Sequence, residues 1–180
     1  TIQAQARSLA KTAFETLGMT KFALLYPRNP YGTTFANVFW DEVNRRQGEI
    51  RGVESYEHDQ TSFQRQVQKL VGRWYRDSRP DYIARKEEIL EQKLPPHRTQ
   101  SALEKMQKNL PPLVDFDAIV IPDSDRNIGL IAPALAFEDI VMTRNPKTLE
   151  KIKKATGYDE IHPVTLLGAS TWNSPRILRS

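Results

Sequence analysis

Short apolar runs alternate along the chain with longer stretches in which apolar residues recur every three or four positions. Residues 22–26, 116–121 and 164–167 are apolar runs of strand length, and residues 50–56 alternate loosely between apolar and polar side chains. Continuous apolar runs of this length are typical of strands buried on both faces of a sheet. The pattern therefore predicts four strands, three of which are fully buried.

The stretches between these strands have the spacing of amphipathic helices. Apolar residues three and four positions apart predict helices over residues 2–17, 30–47, 63–71, 128–140 and 146–155. Strands that alternate with helices call for a mainly parallel sheet with right-handed crossovers. We therefore predict an α/β fold, a three-layer sandwich around a mainly parallel sheet of four or five strands.

Turn-forming and capping residues predict where several helices begin and end. Asn29 and Pro30 have the identities of a helix N-cap and a first helical residue, and Gly48 suits the C-cap of the same helix. Residues 61–64, Thr-Ser-Phe-Gln, match a capping box. Pro133 lies inside the predicted helix after the third strand, so we expect a kink or a later start there.

Residues 74–113 differ in character from the rest of the chain. Charged residues crowd this stretch and apolar residues are sparse. Residues 83–94 are compatible with a helix, Pro95 and Pro96 break it, and residues 101–110 are helical again. We interpret residues 74–113 as a helical insertion on the surface of the α/β unit, with a partner-binding arm as the alternative interpretation.

Length and composition limit the class of protein. A chain of 180 residues is long enough for one domain with a substantial core, and the hydrophobic fraction of 39% argues against disorder. The chain has no cysteine, which excludes disulfides, thiolate catalysis and cysteine zinc sites. No apolar run approaches the length of a membrane span. Because the sequence shows no signal peptide and does not begin with Met, we expect a mature form or an excised piece.

The charge balance is mildly basic. The net charge is +4 and the isoelectric point is near 9.3. An ordinary solvated surface explains an excess of this size, and the basic residues of 144–154 lack the interleaved aromatic side chains of a single-strand binder. We therefore expect no nucleic-acid partner.

Four loops follow the predicted strands, at residues 27–32, 58–60, 122–125 and 169–173. In a parallel sheet the carboxyl ends of the strands meet at one edge, which is where open α/β sheets bind ligands. The loops combine aromatic, hydroxyl, amide and carboxylate groups, a mixture that usually holds a polar small molecule. Ordinary turn chemistry is the competing interpretation. The candidate ligand-binding residues are Asn29, Tyr31, Asp59, Asp123, Ser124 and Trp172.

Catalytic templates are incomplete in this sequence. It has no phosphate-binding glycine loop and no dinucleotide fingerprint, and His58, His97 and His162 lack metal-ligand spacing. Asp123 and Asp125, directly after a buried strand, are similar to the paired aspartates of aspartyl-phosphate phosphatases. A small α/β hydrolase or phosphatase that uses these two residues is therefore a minor alternative. We predict no catalytic residue, no metal site and no cofactor.

Five motifs occur in an order that resembles a known family. They are Leu-Gly at 17–18 before the strand at 22–26, Asn-Pro-Tyr-Gly at 29–32, Tyr-Glu-His-Asp-Gln-Thr-Ser-Phe at 56–63, Phe-Asp-Ala-Ile-Val-Ile-Pro-Asp at 116–123 and Leu-Leu-Gly-Ala-Ser-Thr-Trp-Asn at 166–173. Together they resemble the second lobe of type I periplasmic binding proteins of the branched-chain amino-acid receptor kind. Within that superfamily they are most similar to the penicillin-binding protein activator lipoproteins. The resemblance covers most of the chain except residues 74–113 and 143–161.

The resemblance implies a two-lobed clamshell that holds its ligand between the lobes. A pair of lobes takes roughly 300 residues or more. The resemblance therefore implies that residues 1–180 form a single α/β lobe, a fragment of a larger protein. It also carries a ligand-contact role over to Tyr31, Asp59 and Asp123.

On this resemblance we expect a non-enzymatic periplasmic binding-protein-like module. It would bind a small polar ligand, an amino acid or a cell-wall fragment, or would regulate cell-wall synthesis through contact with a periplasmic protein. The alternative is the solute-binding component of an amino-acid-type ABC transporter. The resemblance implies a bacterial periplasmic or outer-membrane-anchored location, with any membrane anchor outside this segment. An exposed apolar face, where the second lobe belongs, would favour a homodimer.

Overall fold

Four parallel strands form one sheet in the computed structural model, which describes residues 1–168. The strands are β1 (Lys21–Pro27), β2 (Glu49–Tyr56), β3 (Ala118–Ile121) and β4 (Thr165–Gly168). Their order across the sheet is β2-β1-β3-β4, and every neighbouring pair is parallel. The prediction of an α/β fold with a mainly parallel sheet is confirmed.

Helices connect the strands and cover both faces of the sheet. In the described part of the chain they are α1 (Ile2–Lys11), which continues into a π-helical turn (Thr12–Thr16), α2 (Pro30–Arg45), α3 (Gln64–Leu70), α4 (Pro80–Glu91), α5 (Pro96–Lys108), α6 (Asp125–Phe137) and α7 (Pro146–Thr156). None of the helices in residues 1–168 combines the length and the apolar character that a membrane crossing requires.

The core consists of two apolar layers separated by the sheet. Successive side chains of a strand point to opposite faces. On β1, Phe22 and Leu24 therefore pack with α1 and α2, and Ala23 and Leu25 pack with α3 and α6. The ring of Phe22 meets the ring of Phe39 on α2 edge to face, with centroids 5.3 Å apart. The two layers explain why β1 is apolar throughout, and with the sheet they give the predicted three-layer sandwich.

The helix α2 begins as predicted and ends differently. Asn29 is its N-cap, and the Asn29 side chain accepts a hydrogen bond from the Gly32 amide at 2.7 Å. The left-handed residue after the helix is Gln47, with φ of 63°, and the C-cap prediction for Gly48 is wrong. Gly48 serves another purpose, because a Cβ there would lie 2.5 Å from the ring of Phe14.

The predicted capping box at residues 61–64 is also wrong. The helix α3 begins at Gln64, and its N-cap residue Phe63 makes no side-chain capping bond. Instead, the Phe63 ring is buried edge to face against Tyr56, with centroids 5.0 Å apart. Gln60 accepts a hydrogen bond from the Glu57 amide and donates one to the Ser62 carbonyl, so it organises the loop before the helix.

The helix after β3 starts earlier than predicted. It begins at Asp125, because the Ser124 hydroxyl caps it by accepting from the Asn127 amide at 3.3 Å. It then runs through Pro133 to Phe137, so the expected later start is wrong. The basic helix predicted over residues 146–155 is confirmed as α7, which Asn145 caps.

Residues 74–113 contain the helices α4 and α5. The second of them starts at Pro96 and not near residue 101, because Pro96 occupies the first helical position, where proline is tolerated. The chain leaves the α/β unit after Val71, at the end of α3, and returns at Leu113, whose amide donates to the Val71 carbonyl at 2.8 Å. The two helices therefore project from a single point on the α/β unit.

Candidate functional site

The loops that follow β1, β2 and β3 lie at one edge of the sheet. Pro27, the last residue of β1, pairs with Tyr56, the last residue of β2, and Leu24 pairs with Val120 of β3. Because these strands are parallel, their carboxyl ends lie at the same edge of the sheet. The loops at this edge contain five of the six predicted site residues. The sixth, Trp172, lies outside the described residues, as does the fourth predicted loop.

Asp123 is the most constrained side chain at this edge. Its Oδ2 accepts a hydrogen bond from the Tyr56 hydroxyl at 2.7 Å. Its Oδ1 accepts from the Ser124 amide at 2.7 Å and from the Asn127 side-chain amide at 2.9 Å. Since β2 and β3 flank β1 in the sheet, the Tyr56–Asp123 bond connects the ends of two strands that are not neighbours. Three donors therefore fix both oxygens of the carboxylate.

The Tyr56 hydroxyl is held in its protonated form. Burial raises the pKa of Tyr56 far above its ordinary value of 10.0, and the hydrogen bond to Asp123 and the negative charge of that carboxylate raise it further. The ring is fully buried in the layer beneath α3 and α6. Tyr56 is therefore a permanent donor to Asp123 at neutral pH, and it does not act as a base.

The side chain of Asn29 is used as the N-cap of α2. Its side chain satisfies the Gly32 amide, an orphan donor of the first turn of α2. Only glycine fits at position 32, because a Cβ there would clash with the carbonyl oxygen of Pro27. The Asn-Pro-Tyr-Gly motif is thus explained by the tight return of the chain from β1 into α2.

Tyr31 points toward α1 and not toward Asp123. Its hydroxyl donates to the side-chain oxygen of Gln5 at 2.9 Å, and its ring lies near the ring of Phe35 with centroids 6.1 Å apart. The half-buried side chain packs with the layer beneath α1 and α2, whereas Tyr56 belongs to the opposite layer. Tyr31 and Asp123, two of the predicted contact residues, thus hydrogen-bond to residues on the two opposite faces of the sheet, Tyr31 to Gln5 of α1 and Asp123 to Tyr56.

Two of the predicted site residues remain open to solvent. Asp59 is exposed and has no hydrogen bond or ion pair with any of residues 1–168. Ser124 is exposed, and although its oxygen caps α6, its hydroxyl proton has no acceptor in the same part of the chain. Beside them, Arg28 binds Glu57 through its Nε at 3.1 Å and its Nη2 at 2.6 Å. Asp59 and Ser124 therefore leave a carboxylate and a hydroxyl open to solvent at the edge.

This arrangement favours binding over covalent chemistry at Asp123. Three hydrogen bonds restrain the Asp123 carboxylate and lower its nucleophilicity, whereas a carboxylate can accept about four hydrogen bonds and so retains a position for a donor of a ligand. Asp125 is the first residue of α6. Among residues 1–168, no group of three or more His, Cys, Asp or Glu side chains is arranged to hold a metal ion.

Sequence reasoning missed two members of the Asp123 cluster. Neither Tyr56 nor Asn127 is among the candidate ligand-binding residues that the sequence predicts. Asn127 lies four positions after Asp123, a spacing that brings a helical side chain back over the residue before its N-cap. Tyr56 lies 67 residues away from Asp123, and local periodicity gives no signal at that separation.

Solved structures with a similar fold come from two bacteria. The chain is similar to a branched-chain amino acid ABC transporter periplasmic ligand-binding protein from Burkholderia xenovorans, with 11% identity, a TM-score of 0.45, and coverage of 93% of this chain and 29% of that one. It is also similar to the leucine binding protein LivK from Thermotoga maritima, with 13% identity, a TM-score of 0.39, and coverage of 87% and 43%. The chain thus spans less than half the length of either protein. No protein-family model and no curated protein sequence matches it.

Proposed function

We propose that this chain is a non-enzymatic, periplasmic binding-protein-like module that holds a small polar ligand at the carboxyl edge of its sheet. The observation that carries the proposal is the fixed carboxylate of Asp123, which three donors orient at the meeting point of the strand ends. Binding sites depend on polar groups that are held in place before the ligand arrives. Because the Asp123 carboxylate is already fixed in the free chain, little further conformational entropy is lost when a ligand binds to it.

The charges at the edge favour a ligand that carries an ammonium group. The Asp59 carboxylate is unpaired within residues 1–168, and the charge of the nearby Arg28 is balanced by Glu57 in an exposed ion pair. An amino acid or an amine-bearing cell-wall fragment fits this pattern, since the ammonium group can meet a carboxylate and the Ser124 hydroxyl can donate to an oxygen of the ligand. The periplasm of a bacterium is the proposed location.

The test is an NMR titration of the isotope-labelled chain with single amino acids and with peptidoglycan fragments. We expect saturable shifts at Asp59, Asp123 and Ser124. The Asp59→Asn variant should weaken the affinity about two- to fivefold, the value of one charged contact near a surface. Asp41→Asn, which neutralises an exposed carboxylate near the far end of α2, is the matched control and should leave binding unchanged. Equal binding by both variants would contradict the proposed site.

A protein partner is the second candidate function, with regulation of cell-wall synthesis as its purpose. Exposed aromatic residues favour it, because such side chains often anchor interfaces. Phe137 on α6 is 75% exposed and Tyr75, before α4, is 67% exposed. A second copy of the chain is one such partner. Sedimentation that shows a monomer at all concentrations would exclude the homodimer.

The enzyme alternative is tested separately. Under a phosphatase mechanism, Asp123→Asn should abolish turnover of a general phosphomonoester such as p-nitrophenyl phosphate. Under the binding proposal, the wild-type chain has no such turnover to lose. Robust phosphatase activity that disappears in Asp123→Asn would overturn the proposal.

A further inference from the structure

The helices α4 and α5 enclose a groove of about 500 Å³, distant in the fold from the strand-end loops. We call it the α4–α5 groove. Its volume lies within the range of pockets that hold small molecules, about 300–1,000 Å³. Along α4 its lining residues are spaced by three and four positions, so they occupy one face of that helix. The groove is lined by Asp81, Arg85, Ile89, Gln92, Ala102, Lys105, Met106, Asn109, Leu110 and Pro111.

The floor of the groove is apolar and its rim is polar. Ile89 and Leu110 are 3% and 5% exposed, and Ala102 and Met106 are half-buried beside them. Arg85 and Lys105 are exposed at the rim, one on each helix. An apolar floor with few polar groups at its margin is the usual construction of a small-molecule site.

The acidic side chain of the groove lining, Asp81, is held in an ion pair. Arg79 binds both oxygens of Asp81, through Nε at 3.0 Å and Nη2 at 2.6 Å. The same guanidinium donates to the Pro111 carbonyl at 2.9 Å. The only acidic residue of the lining is thus already compensated.

The remaining charges of the lining are positive. Arg85 donates to Glu88 at 2.7 Å, but both side chains of that pair are more than half exposed, so the interaction is weak. Lys105 has no ion pair with any carboxylate of residues 1–168. With Asp81 neutralised, the groove presents two cations above an apolar floor.

We propose that the α4–α5 groove binds a small organic anion with an apolar body, of the class of a medium-chain carboxylate. The carboxylate would lie between Arg85 and Lys105, and the hydrocarbon part would cover the half-buried side chains of Ala102 and Met106. This site is separate from the proposed ligand site at the sheet edge. The groove would bind a negatively charged group, whereas the sheet edge would bind a positively charged one.

The experiment is a titration of the chain, labelled at methionine and alanine methyl groups, with sodium octanoate. We expect saturable shifts of the Met106 and Ala102 methyl signals. Octanol, which has the same hydrocarbon body without the charge, should bind about tenfold more weakly, because it lacks the two ionic contacts. Octylamine should bind more weakly still.

Variants distinguish the contribution of the charged rim to octanoate affinity from that of the apolar floor. The double variant Arg85→Gln, Lys105→Gln should lose about tenfold in octanoate affinity and keep its weak octanol binding. The control is Lys151→Gln, Lys154→Gln on α7, which removes the same net charge from exposed positions and should retain full affinity. Both pairs are exposed, so folding is preserved in each.

Three outcomes would overturn the proposal. The first is the absence of Met106 and Ala102 shifts. The second is equal affinity for octanoate and octanol, which would mean an apolar surface without anion recognition. The third is equal loss in the two double variants, which would mean a general charge effect. Shifts of Asp59 or Ser124 with amino acids report only on the sheet edge, so the two proposals fail independently.

Discussion

The sheet edge and the α4–α5 groove use polar side chains in opposite ways. At the edge, the groups that sequence reasoning selects for a ligand are largely bonded within the chain, as Asn29 is to Gly32, Tyr31 to Gln5 and Asp123 to Tyr56. At the groove, Lys105 has no ion pair within residues 1–168 and lies beside an apolar floor. A polar residue in a binding-competent loop is therefore no evidence of unused binding capacity. Whether a polar side chain can bind a ligand depends on the hydrogen bonds and ion pairs that it already makes within the fold.

The largest expected effect comes from Arg79, which binds Asp81 of the groove lining. Arg79→Met leaves Asp81 uncompensated and leaves the carbonyls of Gly72 and Pro111 without their donor. Arg79 itself is 4% exposed. We expect a loss of about 3 kcal/mol in the free energy of unfolding, measured by urea denaturation. If Arg79→Met lowers the free energy of unfolding no more than substitution of an exposed arginine does, the contacts of Arg79 do not stabilise this segment.

The same variant has a defined pH dependence. The hydrogen bond from Arg79 holds the pKa of Asp81 below its ordinary value of 3.8. This stabilisation is present above pH 3.8 and decreases as the pH falls through the lowered pKa. The stability gap between wild type and Arg79→Met should therefore narrow below about pH 4.

The next effect is at the sheet edge. Tyr56→Phe removes a buried donor to the Asp123 carboxylate and should cost about 1.5–3 kcal/mol in urea denaturation at pH 7. Tyr26→Phe is the matched control, because the Tyr26 hydroxyl on β1 has no hydrogen-bond partner in residues 1–168. Equal losses in the two variants would mean that the Tyr56–Asp123 bond does not stabilise the edge.

Alkaline pH sharpens this test. The folded chain keeps the Tyr56 proton above pH 10 because its pKa is raised, whereas the unfolded chain loses it near the ordinary value of 10.0. The wild type should therefore lose stability faster than Tyr56→Phe above pH 10, by about 1.4 kcal/mol per pH unit. Parallel pH profiles for the two proteins would contradict the burial of this hydroxyl.

A smaller effect is expected from Asn29, whose role at the edge is to cap α2. Asn29→Ala should cost about 1 kcal/mol, and Asn29→Asp should cost little because aspartate caps equally well. Thermal unfolding of the two variants measures the difference. If Asn29→Asp weakens ligand binding while preserving stability, the amide has a recognition role in addition to the cap.

The smallest effect belongs to the groove rim. Arg85→Met breaks only the exposed pair with Glu88 and should change the free energy of unfolding by about 0.5 kcal/mol or less. Denaturation alongside Arg79→Met gives the contrast directly. A large loss would mean that Arg85 supports the helix pair, and its removal would then no longer be a clean test of anion binding.

The sequence was informative about the fold because the fold follows from local pattern. Residues 22–26 and 118–121 are apolar throughout, since each strand is covered on both faces. The parallel topology then predicts correctly that the loops after these strands share one edge. Capping geometry was less predictable, because buried contacts such as that of Phe63 with Tyr56 override the local preference of a Thr-Ser-Phe-Gln sequence.

The candidate site was less accessible to sequence reasoning because its decisive contacts are long-range. The bond between Tyr31 and Gln5 joins α2 to α1 across 26 residues, and it turns a predicted ligand contact into a structural one. The α4–α5 groove had a signal of its own, the four-residue spacing of Asp81, Arg85 and Ile89 on one helix face. That signal was hidden among the many charges of the segment.

The hydrogen bond from the Leu113 amide to the Val71 carbonyl has a consequence for how this protein can change over evolutionary time. Because the chain departs and returns at one point, the sheet is insensitive to the length of whatever lies between those residues. Loop-closure entropy rises only slowly with length, by about 0.6 kcal/mol for each doubling. The length of the two-helix segment beyond Arg79 can thus change at little entropic cost, whereas Arg79 must be retained because it binds the carbonyls of Gly72 and Pro111.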